Sequence, residues 1–283
     1  MAPWAWQWHP HLEVWLLVGV LGVGYLLALR FLGPRHVAPG QEPASRGQIT
    51  AFTLGVATIW VAADWPVHEL AEHYLYSVHM AQHLLLSLVA PPLLLLGTPA
   101  WLARAILRPA FLFRIVRLLS RPLPALLLFN IVIAVTHWTV VVDLGARSEL
   151  IHFSLHAALF STALLMWMPV VSPLIELPRL PYPGQMLYLF AQSLLPTVPA
   201  SFLTFGSEPL YRVYAEAPRT FGISAITDQR MAGLFMKIVG GLVLWSVITV
   251  LFFRWHAQES ADGSDALQWR DVERDMTRLR VSK

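Results

Sequence analysis

Apolar runs of membrane-crossing length recur along this chain, at residues 12–32, 49–63, 75–96, 123–142, 150–171, 186–205 and 228–253. A hydrocarbon core about 30 Å thick takes about 20 helical residues. Within it a helix satisfies its own backbone hydrogen bonds. Only 13% of the residues are charged, against about 25% in soluble domains, and the mean hydropathy is +0.56. The expected fold class is therefore an all-α integral membrane protein with seven transmembrane helices. Residues 1–256 read as one membrane domain and 257–283 as an amphipathic tail. With no cysteine among 283 residues, thiolate catalysis, thiolate metal sites and disulfides are excluded. Nothing points to nucleic acid; the bilayer is the first expected partner.

The connecting segments orient the bundle. The N-terminus has no basic region before its first apolar run, so a spanning helix is expected rather than a cleaved signal. Trp4, Trp6 and Trp8 suit a membrane interface. The second run is short and is expected to extend into Asp64-Trp65-Pro66. Pro91-Pro92 should kink the third. Residues 100–119 set Arg104, Arg108, Arg114 and Arg117 among Leu, Ile and Phe, the pattern of a surface segment. With the loop after the first run placed in the cytoplasm, only Arg147, Arg212, Arg219 and Arg230 of the 20 basic residues fall outside, and Lys237 falls within a span. That asymmetry predicts the N-terminus outside and the C-terminus cytoplasmic. In the tail, Ser264 or Asp265 is expected to cap a short helix with Trp269, Val272, Met276 and Leu279 on one stripe.

Histidines mark the spans that carry chemistry. His79 and His83 share one helix face, as do His152 and His156, and His137 lies in the run between them. The predicted topology puts all five in the outer half of the membrane, roughly 5–15 Å from its boundary at 1.5 Å per residue. A lone histidine in a bundle usually packs or hydrogen-bonds between helices. Two i, i+4 pairs and a fifth imidazole at one depth point to a metal, because ionisable groups inside membranes are rare. Imidazole suits copper and zinc, and thioethers favour Cu(I). Met80, Asp228 and Met231 join the candidate ligands; Asp228 also reads as a helix cap. Asp64, His68 and His73 fall in an outer segment without Lys or Arg, a candidate vestibule for cations, with His9 and His11 nearby. Gln82 should point away and bond a neighbour. Lys237 should snorkel, pair with Asp228 or Asp64, or serve a substrate.

The run His79-Met-Ala-Gln-His83 into Pro91-Pro92-Leu-Leu-Leu-Leu-Gly97-Thr-Pro99 is followed by His137-Trp138 and by His152/His156 before Met166-Trp-Met-Pro169. Glu208-Pro-Leu-Tyr211 with Tyr214, then Asp228-Gln229 with Ala232-Gly233, complete the order. Together these stretches, over residues 12–256, resemble the polytopic CtaG family of caa-type cytochrome c oxidase assembly factors. The resemblance implies a bacterial inner-membrane protein that is not a catalyst. It implies oxidase subunits as partners and the handling of copper for their copper centres. A periplasmic copper donor and a second copy of the chain are further candidate partners.

The residues alone leave rivals open. A seven-span zinc hydrolase also gathers His and Asp at one membrane face, with Asp64 or Asp228 as general base. A haem b carrier would use His83 with His137 or His156 as axial ligands. A scaffold would use the histidines for packing only.

Overall fold

The computed structural model describes Trp8 and residues 11–281, with side chains as far as Ala261. Trp4, Trp6 and His9 lie outside the described residues, as do the side chains of Trp269, Val272, Met276 and Leu279, on which the expected tail stripe rests. The described residues are helical and contain no strand. Five helices are long and apolar enough to cross a membrane: Leu12–Arg35, Tyr76–Gly97, Glu149–Val171, Tyr182–Phe205 and Ala225–Ala261. Two bent helix pairs raise the number of candidate spans to as many as seven.

Helix α1 (Leu12–Leu27) runs on through a π turn and a 3-10 turn to Arg35. Helix α2 (Arg46–Ala63) starts at a reciprocal cap, in which the Ser45 hydroxyl accepts from Gln48 N while the Gln48 side chain accepts from Ser45 N. It does not extend into Trp65-Pro66 as expected. Asp64 is extended, and the chain bends by 42° into α3 (Val67–His73). The physical reason is local, since a proline disfavours helical backbone in the residue before it.

The third run is α4 (Tyr76–Leu84), a π turn at Leu85–Val89, and α5 (Ala90–Gly97). Pro91 and Pro92 do not split it, because they occupy the first turn of α5, where a missing N–H costs least. The Ser87 carbonyl, which Pro91 cannot bond, accepts from Trp167 Nε1 at 3.0 Å. Gly97 sets the closest approach of α5 to α2. A Cβ there would stand 2.6 Å from Phe52 Cα, and Tyr25 Oη of α1 donates to the Gly97 carbonyl at 2.8 Å.

Helices α6 (Ala100–Ile106) and α7 (Ala110–Leu119) carry the arginine-rich segment. No residue of α7 is buried, and it meets α8 (Pro122–Thr136) at 83°, so it lies across that helix rather than in line with it. The fourth run stops at Thr136, not at residue 142 as expected, and α9 (Thr139–Arg147) restarts the chain. The stop has a cause. The His137 carbonyl, which would continue the ladder, accepts from Tyr211 Oη at 2.9 Å.

Helix α10 (Glu149–Val171) is the centre of the bundle; its Leu159, Ala163, Met166 and Trp167 are among the most buried residues. Then come α11 (Tyr182–Leu194), which starts before the expected residue 186, and α12 (Thr197–Phe205). After the short α13 (Arg212–Ala215), the last run comprises α14 (Ala225–Leu234), a π turn at Phe235–Val239, and α15 (Gly240–Val281). The tail has no separate helix capped at Ser264 or Asp265, because α15 passes through both without a break. Many large apolar side chains, Leu16, Phe31, Leu123, Leu187 and Phe253 among them, remain exposed on the outside, as a hydrocarbon environment allows.

The Gly97 contact predicts an asymmetric response. Gly97→Val should lower stability by about 1–3 kcal/mol through overpacking, read as earlier thermal unfolding in detergent. Gly19→Ala, where a Cβ meets nothing within 4 Å, should leave the transition where it is.

Candidate metal centre

The i, i+4 spacing places His79 and His83 one above the other on α4, and His152 and His156 likewise on α10. The two helices face each other through these pairs. Ring centroids are 4.3 Å apart for His79–His83, 4.3 Å for His152–His156 and 4.9 Å for His83–His156. His79, His83 and His156 each offer a ligand nitrogen, and these all lie within 4.8 Å of one another. His83 is buried and the other two are partly so.

The donor set fits a first-row metal. His83 Nε2 and His156 Nε2 are 3.2 Å apart. Two imidazole nitrogens on one tetrahedral ion stand about 3.3 Å apart, from bonds of about 2.0–2.1 Å. An N–H···N hydrogen bond has the same length, so that distance alone is not decisive. The buried Nδ1 of His79 adds to it: it has no hydrogen-bond partner among the described residues, an arrangement that costs free energy unless something fills it.

A cavity of about 260 Å³ opens beside this cluster, lined by His73, His79, His83, His152 and His156 together with Glu72 and Tyr214. Glu72 was not singled out from the sequence, yet it organises the cavity's polar wall. Its Oε1 lies 3.1 Å from His68 Nε2 and 3.0 Å from His152 Nε2, the second contact without hydrogen-bond alignment. The signal was legible as an i, i+4 His–Glu pair on a short helix. A carboxylate behind an imidazole orients it and raises its basicity. The His68 ring in turn stands 4.5 Å from that of His11. A file of imidazoles therefore runs His11, His68, His152, His156, His83, with neighbouring centroids 4.3–6.0 Å apart.

His137 closes the file. It is buried at the C-terminal end of α8, 6.1 Å from the His83 ring, with Nε2 3.3 Å from Met80 Sδ. The other sequence candidates lie elsewhere. Asp228 is not among the histidines, because its carboxylate is engaged at the start of α4. There Oδ2 accepts from Tyr76 N at 2.7 Å, and Oδ1 from Ser77 N at 3.0 Å and Ser77 Oγ at 2.5 Å. Nor does it cap its own helix, where Ser224 accepts from Thr227 N instead. Met231 is 37% exposed and outside the cluster. Asp64 Oδ2 accepts from Trp15 Nε1 and Trp60 Nε1, at 3.0 and 2.9 Å. Lys237 makes no ion pair with Asp228, whose two oxygens are taken by Tyr76 and Ser77, nor with Asp64. It lines a second, smaller cavity below His83. Gln82 points away from His79 and His83, donating to the Ala62 carbonyl at 2.9 Å, and its Nε2 lies 3.3 Å from His68 Nδ1.

The tyrosine-bearing loop and Gln229 hold this framework in place. Tyr214 Oη donates to the Ala71 carbonyl of α3 at 2.9 Å. Gln229 accepts from Leu210 N at 2.6 Å and donates to the Leu203 carbonyl at 3.3 Å. Asp64 and Asp228, the carboxylates expected as a hydrolase base, are bonded elsewhere, and the carboxylate beside the histidines is Glu72. The 3.2 Å between His83 and His156 leaves no room for a porphyrin between that pair.

Comparison with known proteins gives a family match. The profile described as cytochrome c oxidase caa3 assembly factor covers residues 23–258. Two uncharacterized proteins, of Mycobacterium bovis and Mycobacterium tuberculosis, are each 27% identical over 264 residues. The alignment takes in 85% of this chain but only 38% of each relative, so the chain spans well under half their length. No solved structure matches significantly.

The position of Asp228 predicts a structural phenotype. Asp228→Ala strands two buried amides and should cost about 2–3 kcal/mol, while Met231→Leu stays within about 0.5 kcal/mol of the parent. Thermal unfolding of the two variants in one detergent checks both.

Proposed function

Because the chain belongs to the family of cytochrome c oxidase caa3 assembly factors, we propose that it supports oxidase assembly by binding copper and handing it to the oxidase. The observation that carries this is the convergence of His79, His83 and His156, with ligand nitrogens within 4.8 Å and the buried His79 Nδ1 unpartnered. His152, held against Glu72, orients or completes the set. Imidazole nitrogens in a thiol-free site hold copper without disulfide chemistry, which suits an oxidising compartment.

In this reading the protein lies in the bacterial inner membrane with its histidine end outward and its C-terminus in the cytoplasm. The file from His11 to His83 is the way in for the ion, and Glu72 supplies the negative charge that draws a cation along it. Copper is cargo here: the chain's own residues bind it, shield it from water and release it to an oxidase subunit. A periplasmic donor supplies the ion. An assembly role favours a binding protein over an enzyme.

Elemental analysis of the detergent-purified protein, loaded with copper under reducing conditions, tests the reading. Near-stoichiometric copper is expected, and its loss in the His79→Ala/His83→Ala double variant. Zinc retained in place of copper would move the assignment to a metal-dependent hydrolase. In cells, the double variant should leave the oxidase short of copper while its haem content is retained. The orientation has its own check: a fluorescent protein fused at the C-terminus should fold and fluoresce, and a periplasm-dependent reporter fused there should stay inactive.

A further inference from the structure

The contact between Met80 and His137 has a chemical peculiarity. His137 Nδ1 is 2.7 Å from the Ile133 carbonyl, which also accepts from Thr136 Oγ1 at 3.0 Å. A carbonyl can only accept, so Nδ1 carries the proton and Nε2 carries the lone pair. The Nε2 lone pair then meets Met80 Sδ at 3.3 Å, and a thioether has no hydrogen to donate. Two electron-pair donors thus face each other in a buried place, with Met80 2% and His137 8% exposed.

A second proton on His137 would leave its Nε2–H with only a thioether, a weak acceptor, for a partner. A soft electron-pair acceptor between the two atoms removes the conflict directly. With bonds of about 2.0 Å to nitrogen and 2.3 Å to sulfur, the observed separation subtends an angle of about 100° at the ion, near tetrahedral. Mixed thioether and imidazole ligation favours monovalent copper over divalent copper or zinc.

The surroundings agree. The adjoining cavity, of about 50 Å³, is lined by Met80, Met166 and Met236 together with His83 and His137. His83 also lines the larger histidine cavity, so this one imidazole is common to both. Two π turns, Leu85–Val89 and Phe235–Val239, flank the small cavity, and such turns recur at functional sites.

We infer that Met80 and His137 form a second, softer site that takes monovalent copper, reached from the three-histidine site through His83. The inference rests on the proposed copper function and refines it: the histidine cavity admits the ion, and the thioether site selects its reduced form. No electron transfer is involved, because the copper arrives as Cu(I).

X-ray absorption of the full-length protein, loaded with Cu(I) in detergent without oxygen, tests this. The native protein should show a sulfur scatterer at about 2.3 Å beside nitrogen. Met80→Leu, which conserves volume, should lose the sulfur signal, keep nitrogen ligation, and bind Cu(I) at least tenfold more weakly with Zn(II) binding unchanged. Met231→Leu serves as the control and should match the native spectrum. Nitrogen-only copper in the native protein, or a sulfur signal that survives Met80→Leu, overturns the second site while leaving the copper function standing. No copper in the native protein overturns both.

Discussion

The carboxylate of Asp228 holds the first turn of α4, and the placement of His79 and His83 follows from that grip. The first amides of a helix have no partner within it and carry partial positive charge. Here two of them, Tyr76 N and Ser77 N, end on one buried carboxylate from a helix 151 residues away in sequence. The bonds fix both the height and the rotation of α4. One turn further on, His79 and His83 then point at α10. A one-residue rotation of α4 would swing both imidazoles about 100° away from His156.

The same economy appears in the loop that follows α12. Tyr211 ends α8 by occupying the His137 carbonyl, and Tyr214 anchors α3 through the Ala71 carbonyl. By ending α8 there, Tyr211 leaves His137 at a helix terminus, where its ring can reach back to Ile133 and present Nε2 to Met80. By anchoring α3, Tyr214 keeps Glu72 against His152. Residues that touch no ligand nitrogen thereby decide what each imidazole can do. Asp228 and Gln229 belong to this supporting set.

The two cavities differ in chemistry. The larger one gathers imidazoles around a carboxylate, an environment for a cation of borderline softness. The smaller one is mostly apolar, with three methionine side chains, two histidines and an ammonium group on its wall.

Hydrophobicity and spacing along the chain determined a great deal. Long apolar runs force helices in a bilayer, and a four-residue spacing forces two histidines onto one helix face. Both are local consequences of backbone geometry, which is why the helical class and both histidine pairs were legible. The tertiary structure decided the rest. It ended the fourth run where Tyr211 takes the His137 carbonyl, and it gave the Ser87 carbonyl that Pro91 leaves free a partner in Trp167. It committed Asp228 to α4 rather than to the histidines, brought Glu72 to His152, and set Met80 against His137. Each of these depends on a partner from a different helix, and no local pattern encodes which distant donor will meet a given carbonyl or carboxylate.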